Sequence, residues 1–162
     1  MVLVRETVPG DWQALRDIRL EALRDAPAAF GSTYEREALG DEAHWRDRIS
    51  RGGTFLAYLP DLSASEPAGL IGGYREDPVT VELVSMYVRP NARGRGVGEA
   101  LVAAVIDWAR KRNATTVHLW VTETNAPARA LYERCGFALT GEKQPLPSDS
   151  SLGEVAMSRT LP

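Results

Sequence analysis

The chain has 162 residues, 44% of them apolar and 25% charged, with a formal net charge of −3 and a pI near 5.5. That length carries one sizeable core, and the acidic balance argues against general nucleic-acid binding, because no basic excess exists to neutralise a phosphate backbone. No apolar run approaches the roughly 20 residues of a membrane span, the N-terminal stretch does not read as a signal peptide, and the single cysteine, Cys135, excludes an internal disulfide framework, so a cytoplasmic protein without membrane attachment is expected. The two histidines show no ligand spacing, so no metal is expected.

Val2 to Arg5 reads as a first short strand. Asp11 is then the expected N-cap of a helix carrying Trp12, Leu15, Ile18, Leu20 and Leu23, which stops near Pro27. Ala28 to Tyr34 reads as a linker bearing Phe30 and Tyr34, and Asp41 to Ile49 as a short helix around Trp45. Acidic Glu35, Glu37, Asp41 and Glu42 suit a cationic amine partner or a solvated helix face equally. Thr54 to Leu59 and Gly69 to Tyr74 read as antiparallel strands around the loop Pro60 to Pro67. Val79 to Val88 is rich in strand formers and stops before Pro90, which has no amide hydrogen for a further ladder bond.

Arg89 to Gly98 joins that strand to the longest apolar-periodic segment, in which Val97, Leu101, Ala104, Val105, Trp108 and Ala109 recur on one helical face as far as about Arg112. Gly94, Gly96 and Gly98 remove the Cβ atoms that would keep a ligand off the backbone, and the first amides of a helix have no intrahelical partner. Arg93 and Arg95 add planar cations where the helix dipole already favours an anion, so the turn suits a phosphate or pyrophosphate. A nucleoside-triphosphate loop would need a Lys after the glycines, and a dinucleotide turn would need Gly where Glu99 stands.

Thr115 to Val121 is apolar enough to read as a strand buried on both faces and parallel to its predecessor across the helix. His118 within it reads as a satisfied core or edge histidine, and Cys135 as a buried helix-end thiol. Asn125 caps the next helix, Pro127 is tolerated in its first turn, and Gly136 ends it. Phe137 to Gly141 and Leu152 to Ser158 then read as closing strands around a polar loop, Glu142 to Ser151.

The pattern R-x-x-G-x-G at Arg93, Gly96 and Gly98, after a V-x-P strand end, resembles the motif with which GNAT superfamily N-acetyltransferases hold the pyrophosphate of acetyl-coenzyme A. A second segment, Asn125 to Phe137, is similar to that family's N-x-x-A-x-x-x-Y-x-x-x-G-F signature, and the resemblance runs from about Glu82 to Phe137 with a weaker echo in the N-terminal helices. It implies an α/β (α+β) fold in which helices flank a mixed, mostly antiparallel sheet with a parallel pair splayed at the cofactor site. The whole chain, 1–162, would be a single N-acetyltransferase domain.

The resemblance further implies direct transfer of an acetyl group from acetyl-CoA to a primary amine in a ternary complex, without a metal. Met86, Tyr87 and Val88 would pair with the pantetheine arm, Arg93, Gly94, Arg95, Gly96, Val97, Gly98 and Glu99 would hold the pyrophosphate, and Asn125 would bond the pantetheine or a nearby water. Phe30 and Tyr34 would line the acceptor site. Tyr132 matches the general acid for the departing thiolate; a reference Tyr near pKa 10 against a thiol near 8.5 makes that transfer uphill by about 2 kcal/mol unless the surroundings are dry. Glu82 matches the glutamate that serves as base in histone-acetyltransferase members. A non-catalytic acyl-CoA-sensing GNAT domain is the alternative, and homodimers, common among such relatives, remain open.

Overall fold

The computed structural model describes all 162 residues. Seven strands form one sheet: β1 (Leu3–Glu6), β2 (Thr54–Tyr58), β3 (Gly69–Asp77), β4 (Thr80–Val88), β5 (Thr116–Thr122), β6 (Ala138–Leu146) and β7 (Asp149–Thr160). Their spatial order is β1-β2-β3-β4-β5-β7-β6. Only β4 and β5 run parallel, joined by the crossover helix α4 (Val97–Lys111); every other neighbour is antiparallel.

The apolar stripe of α4 buries Val97, Leu101, Val105, Trp108 and Ala109, as its spacing predicts, against Val81 and Leu83 of β4, Val117 and Leu119 of β5 and Met157 of β7. Each such fully buried aliphatic side chain stabilises the fold by about 1.5–3 kcal/mol. The opposite face is covered by α1 (Trp12–Asp25) and α3 (Glu42–Ser50), whose Leu15, Ile18, Trp45 and Ile49 pack on Leu56, Tyr58, Leu70 and Tyr87. That cover reaches β4 and no further. The far face of β5 is therefore only half-buried at Thr116, His118 and Trp120, which corrects the expectation of a strand buried on both sides.

Four other readings change. The linker after α1 holds a 3₁₀ turn (Pro27–Ala29) and a helical turn, α2 (Tyr34–Glu37), capped by the Thr33 hydroxyl. Asp11 precedes α1, but its carboxylate turns back to the Val8 amide and to Arg5 instead of capping the helix. Val79 lies in a tight turn where Asp77 accepts its amide, so β4 begins at Thr80. The polar stretch Glu142 to Ser151 is mostly strand, with Pro147 and Ser148 at its turn. β6 is a sheet edge exposed along most of its length, so no hydrophobic alternation marked it.

β4 also carries a bulge. Leu70 pairs with Tyr87 but Gly72 with Val84, leaving an extra residue in β4, and Ser85 takes φ +62°. By alternation Leu83 and Tyr87 should share a face, yet Leu83 packs with α4 and Tyr87 with α1, because the bulge reverses the pleat between them.

The acidic residues near α2 are mostly committed to structure. Glu37 is bonded by Arg19 through two contacts of 2.9 Å and by Arg48 at 2.9 Å, Asp41 caps α3 at the His44 amide, and Glu42 pairs with Arg46. Burial disfavours the charged form of Glu37, but hydrogen bonds and charge from Arg19, then Arg48, overcome it and bring its pKa down to about 2. A carboxylate depressed in the fold stabilises it above the usual carboxylate range, and that contribution fades as pH falls toward about 2. Glu37→Gln is expected to cost about 3 kcal/mol at neutral pH, since it leaves Arg19 buried without a counter-charge. In urea titrations the variant should lose less stability than the parent between about pH 5 and 3; an equal acid sensitivity would remove Glu37 as its source.

Candidate active site

β4 and β5 pair only through Thr80–Glu82 and Thr116–His118, after which the two strands diverge. On its other side β4 remains bonded to β3 as far as Val88, so Met86 to Val88 present a backbone edge that no strand completes. A cavity of about 470 Å³ opens there, within the range of small-molecule sites. Its walls are Met86, Tyr87 and Val88 from β4, the glycine turn, and Asn125, Ala128, Leu131 and Arg134 from α5 (Ala126–Arg134). Ala26, Ala29 and Phe30 roof it from the segment after α1, which is tied down where the Thr122 hydroxyl donates to the Ala28 carbonyl at 2.6 Å.

The glycines serve distinct purposes. Gly94 (φ +76°) and Gly96 (φ +82°) adopt left-handed conformations, and a Cβ on either would meet nothing within 4 Å, so the backbone itself forms an open wall there. Gly98 is already helical, and a Cβ on it would come within 3.0 Å of Leu131, so its absence lets α5 approach α4. The first intrahelical bond runs from the Ala100 amide to the Gly96 carbonyl, leaving the amides of Val97 and Gly98 at the helix start for an outside acceptor, while the Glu99 amide turns to its own carboxylate.

The arginines around the turn already have acidic partners. Arg93 lines the cavity, donating to the Val88 carbonyl at 3.0 Å and to Asp25 at 3.3 Å. Arg95 is turned onto Asp61, with contacts of 2.8 and 3.0 Å, and does not line the cavity. Arg134, which sequence reading passed over, lines it and bonds Glu99 at 3.0 Å. Backbone amide and Arg134 together hold the Glu99 carboxyl below the usual carboxylate range. The signal for Arg134 was present: Ala128, Leu131 and Arg134 recur every third residue on α5.

Asn125 lines the cavity and accepts the Ala128 amide at 3.3 Å, so one side chain caps the helix and faces the site. Tyr132 stands apart. It is 5% exposed, packs edge-on to Phe137 with ring centres 5.9 Å apart, and is not among the lining residues. Burial, with Cys135 nearby, raises its pKa. Phe30 is buried, faces the cavity and lies under Arg19, whereas Tyr34 lines a neighbouring groove with Arg24, Ser148 and Asp149.

Glu82 is the last β4 residue paired with β5 before the splay, on the open face. It is 8% exposed; the Tyr74 hydroxyl donates to its Oε2, and His118 Nδ1 stands 3.9 Å from its Oε1. Burial lifts its pKa above the usual carboxylate range, the Tyr74 bond opposes this, and Glu76 adds to it. His118 is not the satisfied core histidine expected: its Nδ1 is buried without a hydrogen-bond partner. The arrangement can therefore bind an anionic, extended ligand along the splay; Glu82 does not line that cavity and lies further back on the same strand.

Comparison with known proteins agrees with this geometry. Residues 12–137 match the model of the acetyltransferase (GNAT) family. The chain is 33% identical over 158 residues to a streptothricin acetyltransferase of Streptomyces lavendulae, covering 96% of this chain and 79% of that protein. It is 46% identical over 61 residues to the mycothiol acetyltransferase of Beutenbergia cavernae, of which it spans only 20%. A putative acetyltransferase from Salmonella typhimurium, solved with its cofactor acetyl-CoA, shares the fold at a TM-score of 0.77 and 20% identity, covering 100% of this chain and 95% of that one.

Proposed function

The chain belongs to the acetyltransferase (GNAT) family, and from that premise we propose that it is an N-acetyltransferase acting on a primary amine with acetyl-CoA as co-substrate. The observation that carries this reading is the unpaired edge Met86–Val88, which connects the amide-lined start of α4 to the buried Glu82 on a single strand. Acetyl-CoA, when bound, supplies an acetyl thioester. The open, Cβ-free wall at Gly94 and Gly96 and the helix-start amides suit its pyrophosphate, with Arg93 adding positive charge. Binding energy gathered there, remote from the reacting atoms, positions the reacting end in the splay. The free amides of the β4 edge can pair with an extended arm and polarise a carbonyl.

Deprotonation of the acceptor falls to Glu82. Its raised pKa makes it a better match to an ammonium than a solvated carboxylate, and a water between them extends its reach. Tyr132 is the proposed proton donor to the departing thiolate. Since the streptothricin relative aligns over nearly the whole chain, a small-molecule amine is the acceptor class to test first, in a panel that includes streptothricin.

Thiol release from acetyl-CoA across that panel tests the reading. Amine-dependent release supports it, and coenzyme A binding without release from any amine would favour an acyl-CoA-sensing domain. Glu82→Gln is expected to lower turnover about 10²-fold or more for the most basic amines near neutral pH, with the loss fading as pH approaches the amine's own pKa. A loss independent of pH and amine basicity would mark Glu82 as structural.

A further inference from the structure

We propose that His118 and Glu82 hold one water between them, through which the acceptor loses its proton, and that His118, backed by Glu142, is a second proton acceptor for the reaction. The inference rests on the reading of Glu82 as the base. Paired strands place Tyr74, Glu82, His118 and Ser158 in one row across the sheet, all on the open face. Tyr74 occupies Glu82 Oε2, so Oε1 remains, and it faces His118 Nδ1 at 3.9 Å. That separation is too long for a hydrogen bond and suits two groups sharing a water. A buried polar atom without a partner is uncommon and costly, and such a water would satisfy the orphaned Nδ1.

The other ring nitrogen faces outward. His118 Nε2 lies 3.7 Å from Oε1 of Glu142, whose side chain is 62% exposed. With the Nε2 proton turned toward Glu142, the Nδ1 lone pair is directed at the water. Trp120 meets the ring edge-on, with centres 5.6 Å apart, and limits its rotation. The charged groups around this pair are Glu76 of β3, Glu142 of β6 and Glu154 of β7.

The proton balance is simple. The ammonium N–H bond breaks toward the water oxygen, and the electron pair stays on nitrogen for attack on the acetyl carbon. The water passes one of its own protons to Oε1 of Glu82 or to Nδ1 of His118. In the second case the imidazolium, steadied at Nε2 by the Glu142 carboxylate, returns its Nδ1 proton through the water to solvent, which restores the starting tautomer.

His118→Ala in the 162-residue chain, assayed with acetyl-CoA and a basic amine, is expected to lower kcat at least about tenfold with unchanged acetyl-CoA affinity, and added imidazole should restore turnover in a saturable way. Glu142→Gln, at an exposed position where folding is not at risk, should lower kcat severalfold and decides the matter if His118→Ala melts early. Wild-type kcat in both variants between about pH 6 and 9 would overturn the proposal. So would an impaired His118→Ala that imidazole does not rescue beside a fully active Glu142→Gln. Glu82→Gln at the wild-type rate would instead sink the base reading, whatever the His118 result. A defective Glu82→Gln with both other variants fully active would leave that reading standing and this inference refuted.

Discussion

Gly96→Asp is expected to abolish measurable coenzyme A binding, a loss of at least about 10³-fold in affinity, while the protein remains folded. Gly96 takes φ +82°, so any side chain strains the backbone by about 1 kcal/mol, but its Cβ would meet no protein atom within 4 Å. The carboxylate would enter the cavity at the start of α4, where a pyrophosphate should sit against free amides. Like charges in contact at a partly desolvated site cost several kcal/mol. Calorimetric titration with coenzyme A and with acetyl-CoA checks this, and both should fail alike, because the anchoring contacts proposed for the turn lie on the nucleotide. Gly96→Ala separates the causes: it should retain most of the affinity, since it adds strain without charge. Parent-like affinity in Gly96→Asp would mean that the turn does not hold the pyrophosphate.

Tyr132→Phe is expected to lower turnover about 10²-fold, equivalent to about 2.7 kcal/mol of transition-state stabilisation, with acetyl-CoA affinity nearly intact. The ring would keep its packing on Phe137, and only the hydroxyl would go. Burial that raises the tyrosine pKa also makes proton donation harder, so the acid role requires a thiolate made comparably basic by the same dry surroundings. Tyr132 is buried and does not line the cavity, whose α5 side is Ala128, Leu131 and Arg134, which makes this the sharper of the two tests. Single-turnover kinetics isolates the chemical step. Full activity in Tyr132→Phe would assign thiolate protonation to water, and an equal loss of affinity and rate would make Tyr132 a packing residue of the site.

What the sequence determined is what depends on neighbours within a few residues. The 3.6-residue stripe of α4 could be read because helical burial repeats locally, and a left-handed turn at Gly94 and Gly96 because only glycine adopts it without strain. Asn125 could be read as a cap because capping spans three residues. The same locality hid β6, an edge strand with no buried face to impose alternation, and it hid the bulge at Ser85, since no residue type signals that an antiparallel ladder gains a member. Tertiary structure alone decided that Tyr87 turns to α1, that Asp61 draws Arg95 away across 34 residues of chain, and that β5 keeps one half-open face. It also placed His118 between Glu82 and Glu142, three residues from three different strands of the sheet. Such meetings depend on strand order and on which helices cover which strands. Both are set by the summed burial of the whole chain, so no single segment of the sequence records them.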